Sequence, residues 1–488
     1  MPNNKNKTGR QRNQTAKPQK HFRKGKSPGK RGMCLQDRPV LEPDAAGIDI
    51  GAREIYVAVP PDRDPRPVRV FQTFTDDLIA IAQWLEQCGA TTAAMESTGV
   101  YWIPLYEILQ EHGLRTCLTN PRGMKNVPGR RTDWHECQWL QYLHSMGLLA
   151  GSFRPDREVV TVRTLMRHRQ GLVRMAAQHV QHMHKALTQM NLQIHHVISD
   201  ITGVTGTAIV DAILAGERDP AVLAKLRDPN IKASAETIRR SLIGDWSAEH
   251  LFTLRQSRKL YDDYKASIGE VDGEIERLLG EMEGEVDPQE KPLPPDRKRN
   301  GQTRRCHHRQ KNDGFDLRQQ AYRLFGVDVT QIPGLQTSAL TLFSETGRDM
   351  RRWRNAAAFA AWAGLCPDND ITGGKVQWRG ARKVKSRVGD IFRIAASSLH
   401  NNHSPLGDYL RKMKARLGKQ GGVTATAHKI AVIYYTLIHR QVEYDESIWA
   451  ERDALRQQRL ERKLKRQAER LGYELVLKQN SASPKPAE

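Results

Sequence analysis

The stretch Ala45-Ala46-Gly47-Ile48-Asp49-Ile50-Gly51 decides how this chain begins to fold. Its apolar residues form a short run bounded by polar sequence, which is typical of a buried β-strand, and we predict a strand over 46–50. Asp49 lies near the end of this strand, and Gly51 follows it, where a backbone or a phosphate can approach closely. The segment therefore predicts a central strand that carries a carboxylate to one edge of a sheet.

The sequence that follows alternates between strand and helix patterns. The predicted elements are strands at 54–59 and 68–74, a helix at 78–84, a strand at 91–95, a helix at 103–110, a strand at 114–118 and a helix at 133–145. Hairpin strands followed by helix, strand, helix, strand and a final helix are typical of a RuvC-like (ribonuclease-H-like) α/β fold. We assign this fold to residues 45–195, although a fold alone does not define a function.

Three more carboxylates accompany Asp49. Glu96 ends the predicted strand at 91–95, and Asp133 and Glu136 form an i, i+3 pair that shares one side of a helix. Each acid alone is more often a helix cap or part of a surface turn. Together they provide hard oxygen ligands from neighbouring elements, which Mg²⁺ prefers and which can serve phosphodiester chemistry. We therefore predict a Mg²⁺ or Mn²⁺ site formed by Asp49, Glu96, Asp133 and Glu136.

Charge indicates the class of partner. The 488 residues carry a formal net charge of +22, from 77 Lys and Arg against 55 Asp and Glu. Such an excess favours a polyanionic partner such as DNA or RNA. A generic basic surface and a ribosome-associated protein are the alternatives, and the clustering of the charge argues against the first.

The sequence does not favour a secreted or membrane protein. The basic N-terminal segment lacks the apolar region of a signal peptide, and the longest apolar run, 356–366, is too short to span a bilayer. The six cysteines are scattered without a C-x-x-C pair, which fits a reducing compartment. We expect a cytoplasmic protein with no membrane partner.

Two segments are predicted to be disordered. Residues 1–44 form a basic arm whose first 31 residues hold eleven Lys and Arg and no acid. Residues 284–316 form a basic, Pro-rich linker. We expect both to add salt-sensitive affinity for nucleic acid without sequence preference, with a solubilising tail as the alternative for the arm.

The rest of the chain is predicted to be mainly helical. Residues 196–283 contain a heptad pattern from Leu254 to Met282, which favours a coiled coil or a helical hairpin. An intermolecular coiled coil is favoured, and an amphipathic helix packed within one chain is the alternative. Residues 317–444 form a second helical domain, and 445–488 form a basic C-terminal helix and tail.

The second domain carries two candidate nucleic-acid motifs. Gly334, in Thr330-Gln-Ile-Pro-Gly-Leu, allows close approach to a phosphate as in a helix-hairpin-helix, or it belongs to an ordinary helix start after Pro333. Thr372 precedes Gly373-Gly374-Lys375 and is either a nucleophile at a phosphate or part of a turn in a DNA-binding loop. The cations expected to hold phosphate charge there are Lys375, Arg379, Arg382, Lys383, Lys385 and Arg387.

Several motifs in order resemble the DEDD transposases of the IS110 insertion-sequence family, and its IS1111 branch in particular. They are Asp49-Ile-Gly, Met95-Glu-Ser-Thr-Gly-Val-Tyr-Trp, Asn120-Pro121, Arg131-Thr-Asp, Ile332-Pro-Gly-Leu, Ala363-Gly-Leu-Cys-Pro, Thr372-Gly-Gly-Lys and Thr424-Ala-Thr-Ala-His-Lys. The resemblance extends from about Ala45 to about Tyr444.

The resemblance implies a RuvC-like domain followed by a mostly α-helical transposase domain. It also implies DNA strand exchange between donor and target, guided by a structured non-coding bridge RNA. In this family a serine of the second domain attacks DNA beside metal-bound carboxylates, and the protein acts as a homodimer or a tetramer (a dimer of dimers) joined through the coiled-coil region. A prokaryotic cytoplasmic protein associated with the nucleoid follows from the same resemblance.

Two positions depart from the family pattern. Glu136 stands where the family usually has Asp, and Thr372 stands where it usually has Ser. Glutamate still ligates magnesium, whereas the threonine methyl crowds the attacking hydroxyl. The alternatives to a transposase are a RuvC-like junction nuclease, which needs the carboxylates but not Thr372, and a catalytically decayed nucleic-acid-binding relative.

Overall fold

The computed structural model describes residues 39–97, 99–120, 133–295, 298–299, 302–303, 316–367, 369–378, 380 and 386–474. Most of the predicted basic arm, much of the predicted linker and four of the predicted phosphate-binding cations lie outside these residues. Those cations are Arg379, Arg382, Lys383 and Lys385. The chain divides into two compact units between Phe153 and Arg154.

The first unit is built on a five-stranded mixed sheet. Its strands are β1 (Ala45–Ile50), β2 (Glu54–Ala58), β3 (Val68–Gln72), β4 (Thr92–Glu96) and β5 (Arg115–Thr119), in the order β3-β2-β1-β4-β5. Strands β1, β2 and β3 pair antiparallel, whereas β4 lies parallel to both β1 and β5. The helices are α1 (Thr75–Gln87), α2 (Trp102–Glu111) and α3 (Asp133–Ser145). This architecture is consistent with the predicted ribonuclease-H-like fold.

The two faces of the sheet differ in the size of their side chains. On one face, large residues such as Ile48 and Met95 are fully buried in a core with Leu85 of α1 and Leu105 of α2. Because side chains alternate along a strand, the neighbouring positions face the other way. Those positions hold small residues, including Gly47, so that α3 can lie directly against the strand backbone.

Gly47 sets the distance between β1 and α3. A Cβ atom on this residue would lie 2.2 Å from both the carbonyl oxygen of Cys137 and the backbone nitrogen of Gln141. At the other end of α3, His144 Nε2 lies 2.9 Å from the hydroxyl of Thr92, near the start of β4. The helix therefore runs antiparallel to β1 and β4, with its first residues toward the ends of these strands.

The second unit contains a long antiparallel helix pair, α4 (Arg157–Gln189) and α9 (Ala248–Glu281). The buried Asp272 accepts a hydrogen bond of 3.0 Å from Arg169, and His179 stacks on Tyr264. Four short helices connect the pair: α5 (Ile194–Val197), α6 (Val204–Ala215), α7 (Pro220–Lys225) and α8 (Ala235–Ser241). Helix α4, assigned to the first domain from the sequence, packs here because its apolar face contacts α9 and the connecting helices.

The heptad from Leu254 to Met282 thus lies along a helix of the same chain. Leu254, Ser257, Ile268 and Ile275 of the pattern are buried on α9. Toward its end the buried positions shift to Asp272 and Leu279, because Asp272 pairs with Arg169. The alternative of a helix packed within one chain therefore accounts for the pattern, and a coiled coil between subunits stays a prediction.

The remainder of the second unit is mainly helical around an aromatic core that includes Phe359, Phe392 and the fully buried Tyr434. Its helices are α10 (Leu317–Phe325), α11 (Ala339–Thr346), α12 (Ala356–Trp362), α13 (Arg387–Ser398), α14 (Pro405–Arg440) and α15 (Ser447–Arg470). Two-residue strands β6 (Lys298–Arg299) and β7 (Gln302–Thr303) pair with each other, as do β8 (Asp370–Thr372) and β9 (Lys375–Trp378). Among the described residues, no helix combines the length and the apolar character needed to cross a membrane.

Candidate active site

Asp49 and Glu96 end two neighbouring parallel strands. The register pairs Ile48 with Met95, so the next residues, Asp49 and Glu96, follow each other on adjacent strands. Both side chains lie on the sheet face covered by α3, because Gly47 of that face is two residues before Asp49. Asp49 is half-buried, and Glu96 is only 9% exposed.

The end of β4 is held from its other side by β5. Glu96 pairs with Thr119, and the backbone N–H and the hydroxyl of Ser97 both donate to the carbonyl oxygen of Thr119, at 3.0 and 2.9 Å. Thr119 in turn bridges to Gly151. The backbone that carries Glu96 is therefore fixed on both sides of the residue.

Asp133 lies at the same level as these two carboxylates. Cys137 lies over Gly47, and Asp133 is four residues earlier on α3, about 6 Å along the helix axis. Asp49 is two residues beyond Gly47, about 6.7 Å along the strand. Since the helix runs antiparallel to the strand, the two displacements have the same direction. Glu136 is half-buried and lies on the flank of α3, about 60° around the axis from Asp133.

The charges of Asp49 and Asp133 both raise the pKa of two neighbouring side chains. Burial and, to a smaller extent, the charges of Asp49 and Asp133 together raise the pKa of the Cys137 thiol to about 12. The pKa of Tyr56 is raised chiefly because its hydroxyl donates a 2.8 Å hydrogen bond to Glu54, with further contributions from burial and from Asp133 and Asp49. The two carboxylates therefore share one neighbourhood.

The donor set fits a hard divalent cation. Asp49, Glu96, Asp133 and Glu136 offer carboxylate oxygens, which Mg²⁺ and Mn²⁺ prefer. The raised pKa of the nearby Cys137 thiol disfavours the thiolate form that a soft metal ion would require. Within the described ranges, however, no three Asp, Glu, His or Cys side chains converge tightly enough to hold an ion. The register brings the carboxylates to one edge of the sheet, and their assignment as ligands stays a prediction.

Thr372 lies at the tip of an exposed hairpin. It pairs with Lys375 across the two-residue turn Gly373-Gly374, whose φ angles are +57° and +76°. Positive φ at both central residues is typical of a type I′ turn, which explains the two glycines. The side chains of Thr372 and Lys375 are both exposed. The hydroxyl is therefore accessible, and the alternative of a turn in a binding loop describes the same local structure.

Other predicted positions have structural roles of their own. Gly334 has φ of +93°, and a Cβ there would lie 2.6 Å from the carbonyl oxygen of Ala395 on α13. The missing side chain thus permits close packing of a turn on a helix, and contact with a phosphate stays a prediction. Arg387 is exposed at the start of α13, next to Ser386, whose hydroxyl accepts the N–H of Gly389 at 3.2 Å.

A group of arginines on α4 was not predicted from the sequence. Arg163 and Arg167 lie one turn apart on the helix, and Gln170 follows on the same side. The signal was present as a basic stripe within an otherwise amphipathic helix. Without the fold it could not be distinguished from an ordinary solvated helix face.

Two family models match this chain. The model DEDD_Tnp_IS110, described as a transposase, matches residues 46–192, which include the sheet, α3 and α4. The model of the transposase IS116/IS110/IS902 family matches residues 328–409, which include Gly334, the β8–β9 hairpin and α13. A comparison with curated proteins gives no match.

Proposed function

Since the two matched domains support an IS110-family transposase that acts on DNA, we propose that this protein exchanges DNA strands using a carboxylate-bound divalent cation and the hydroxyl of Thr372. The proposal is carried by one observation. Asp49 and Glu96 end adjacent parallel strands on the face covered by α3, and α3 begins with Asp133.

The carboxylates are proposed to bind Mg²⁺ or Mn²⁺. Domains of the DEDD transposase family typically use a divalent metal ion. Asp49, Glu96, Asp133 and Glu136 would hold it here, and when bound it would neutralise charge that develops on a phosphodiester. The protein fixes these ligands through Gly47, which allows α3 to approach, and through the hydrogen bonds of Ser97 to Thr119.

Thr372 is proposed as the nucleophile. In this step its oxygen bonds to phosphorus while the bond from phosphorus to one strand oxygen breaks. The Thr372 hydroxyl loses a proton, and the departing strand oxygen gains one. Lys375, directly across the turn, is positioned to offset phosphate charge. The exposed hairpin tip supports this role because a phosphate can reach the hydroxyl.

Guidance by a bridge RNA and assembly as a homodimer or tetramer are further parts of the proposal. The net charge of +22 favours polyanionic partners, and RNA is one of these. Helix α15 carries a basic surface. Its exposed cations include Arg459, Arg462, Lys463 and Arg466. Sequencing of RNA that co-purifies with the protein tests this part directly.

A metal-dependent junction nuclease is the second candidate function. It is favoured by the ordinary geometry of the hairpin, in which Gly373-Gly374 needs no catalytic explanation. This function requires Asp49 and Asp133 but leaves Thr372 without a chemical role. The two candidates therefore differ in whether protein becomes covalently attached to DNA.

The deciding experiment is a denaturing gel of protein incubated with labelled element-end DNA and Mg²⁺. A transposase with a protein nucleophile gives a covalent adduct in the parent, and Thr372→Ala removes the adduct. A nuclease gives cleaved DNA without an adduct, and its cleavage survives Thr372→Ala. Asp49→Asn abolishes both activities, whereas Asp76→Asn, an exposed acid on α1, serves as the matched control. Full activity in Asp49→Asn would exclude the carboxylate assignment.

A further inference from the structure

A buried glutamate in the second unit lies within a group of arginines. Glu345 on α11 is 7% exposed, and Arg167 of α4 donates to both of its oxygens, at 2.9 and 2.7 Å. Such a bidentate pair engages both carboxylate oxygens and fixes the orientation of the guanidinium group. Arg154, Arg163 and Arg387 contribute three more positive charges to the same neighbourhood.

Arg387 is drawn to this neighbourhood from another helix. Its guanidinium donates a 3.1 Å hydrogen bond to the side-chain oxygen of Gln170. Gln170 lies seven residues after Arg163 and three after Arg167, so all three share one side of α4. Cations from α4 and from the start of α13 therefore converge on one surface.

Arg163 is the least satisfied member of this group. It is half-buried, and within the described part of the chain it forms no ion pair. Burial and, next, the positive charges of Arg167, Arg154 and Arg387 lower its pKa to about 10, with Glu345 opposing them. Among the charges that act most strongly on Arg163, three guanidinium groups are opposed by the single carboxylate of Glu345. An anion placed among them would offset the cost of burying the Arg163 charge and would reduce the repulsion between the guanidinium groups.

We propose that Arg163, Arg167 and Arg387 form a binding site for a backbone phosphate of duplex DNA. The planar guanidinium forks match phosphate oxygens, and the bidentate contact of Arg167 with Glu345 pre-organises one edge of the site. Arg387 follows the β8–β9 hairpin by nine residues, so the site is connected to the segment that carries Thr372. The inference deepens the proposed function, on which it rests for the identity of the nucleic acid.

The first test measures DNA affinity against salt. All variants carry Asp49→Asn, so that no strand is cut, and the probe is a short duplex containing the element end. Arg163→Gln and Arg387→Gln should each lower the slope of log K against log salt by about 0.9, the loss of one phosphate contact. The loss of DNA affinity between 50 and 200 mM salt should therefore be about threefold smaller in each variant than in the parent. Arg163→Lys should keep most of the slope because it retains the charge.

The matched control is Arg239→Gln, which removes one charge from an exposed pair with Glu236 on α8. It should leave the slope unchanged. If the slope fell equally in Arg163→Gln, Arg387→Gln and Arg239→Gln, the effect would come from net charge alone. That result would overturn the proposed phosphate site. A loss confined to an RNA duplex of the same length would overturn the assignment to DNA.

The second test separates binding from folding. Inorganic phosphate should raise the melting temperature of the parent, and Arg163→Gln should lose most of that shift while melting no lower without phosphate. A lower melting temperature with an intact phosphate shift and an unchanged DNA slope would make the arginines purely structural. Neither test requires strand exchange, so both outcomes stand whether or not Thr372 or the carboxylates catalyse it.

Discussion

The carboxylate edge of the first unit and the Thr372 hairpin of the second are held by opposite kinds of structure. Glu96 lies on a buried central strand, hydrogen-bonded on both sides and covered by α3. Thr372 lies on a three-residue strand at an exposed turn of two glycines. The first region is fixed by contacts within the protein, whereas the tip of the second is exposed.

Two large effects of similar size are expected, and the first, in the rigid region, is that of Asp133→Asn. Asp133 lies on the side of α3 that contacts β1, at the level of Asp49, whereas Glu136 lies on the flank. Asp133→Asn should lower strand exchange by about 10³-fold, since it removes a charged ligand without changing shape. Glu136→Asp, which restores the usual family residue, should retain activity. The measurement is strand exchange on supercoiled donor DNA, with circular dichroism to verify folding.

Equal losses of strand exchange in Asp133→Asn and Glu136→Asp would show that activity does not depend on which side of α3 carries the carboxylate. A normal rate in Asp133→Asn would remove α3 from the metal site altogether.

In the exposed region, the informative change is Thr372→Ser. Loss of the methyl relieves crowding at phosphorus, so exchange should be at least as fast as in the parent. Thr372→Ala should be slower by about 10³-fold or more, because no hydroxyl remains. Single-turnover rates compare the three proteins. If serine were much slower than threonine, the methyl would be positioning the hydroxyl, and the hairpin would be less adaptable than its exposure indicates.

The sequence predicted the rigid region far better than the exposed one. The succession of strands and helices along the chain follows from local patterns, and alternation places Ile48 in the core and Asp49 on the opposite face. The level of Asp133 relative to Asp49 required the contact of α3 with Gly47, which no local pattern contains. The relative positions of the carboxylates were therefore not predictable from the sequence, and their role as ligands stays a prediction.

In the second unit, contacts between residues distant in the sequence settle which surfaces pack together, which the sequence alone left open. The heptad of α9 is compatible with a partner in another chain or in the same chain, and only the contact with α4 distinguishes them. The group formed by Arg163, Arg167 and Arg387 unites positions more than 200 residues apart. Charge patterns along one helix cannot reveal such a convergence.

A pair of glycine substitutions compares the two regions by stability. Gly47→Ala should lower the free energy of unfolding by about 3 kcal/mol, because its Cβ would meet backbone atoms on α3 that cannot move separately. At Gly373 nothing lies within 4 Å of a built Cβ, so Gly373→Ala should cost only about 1 kcal/mol for its positive φ. Urea unfolding monitored by circular dichroism measures both.

The order of these two effects is the informative result. A larger loss at Gly373 would mean that the hairpin is held as tightly as the sheet, which contradicts the contrast between the two regions.

The smallest effect is expected from pH, through the His144 imidazole at the far end of α3. Burial lowers the pKa of His144 below its ordinary value of 6.5. The hydroxyl of Thr92 donates to the carbonyl oxygen of Arg115 at 2.8 Å, so the neutral imidazole donates from Nε2 to that hydroxyl. Because the unfolded chain takes up a proton more readily than the folded one, this contribution to stability is complete above about pH 6.5 and is lost as the pH falls. Unfolding in urea between pH 7.5 and 5.5 should therefore show a steeper loss in the parent than in His144→Gln, whereas exposed His168→Gln should behave like the parent. An identical slope in His144→Gln would mean that α3 docks on β1 and β4 without help from this imidazole, and that Gly47 alone sets the position of Asp133.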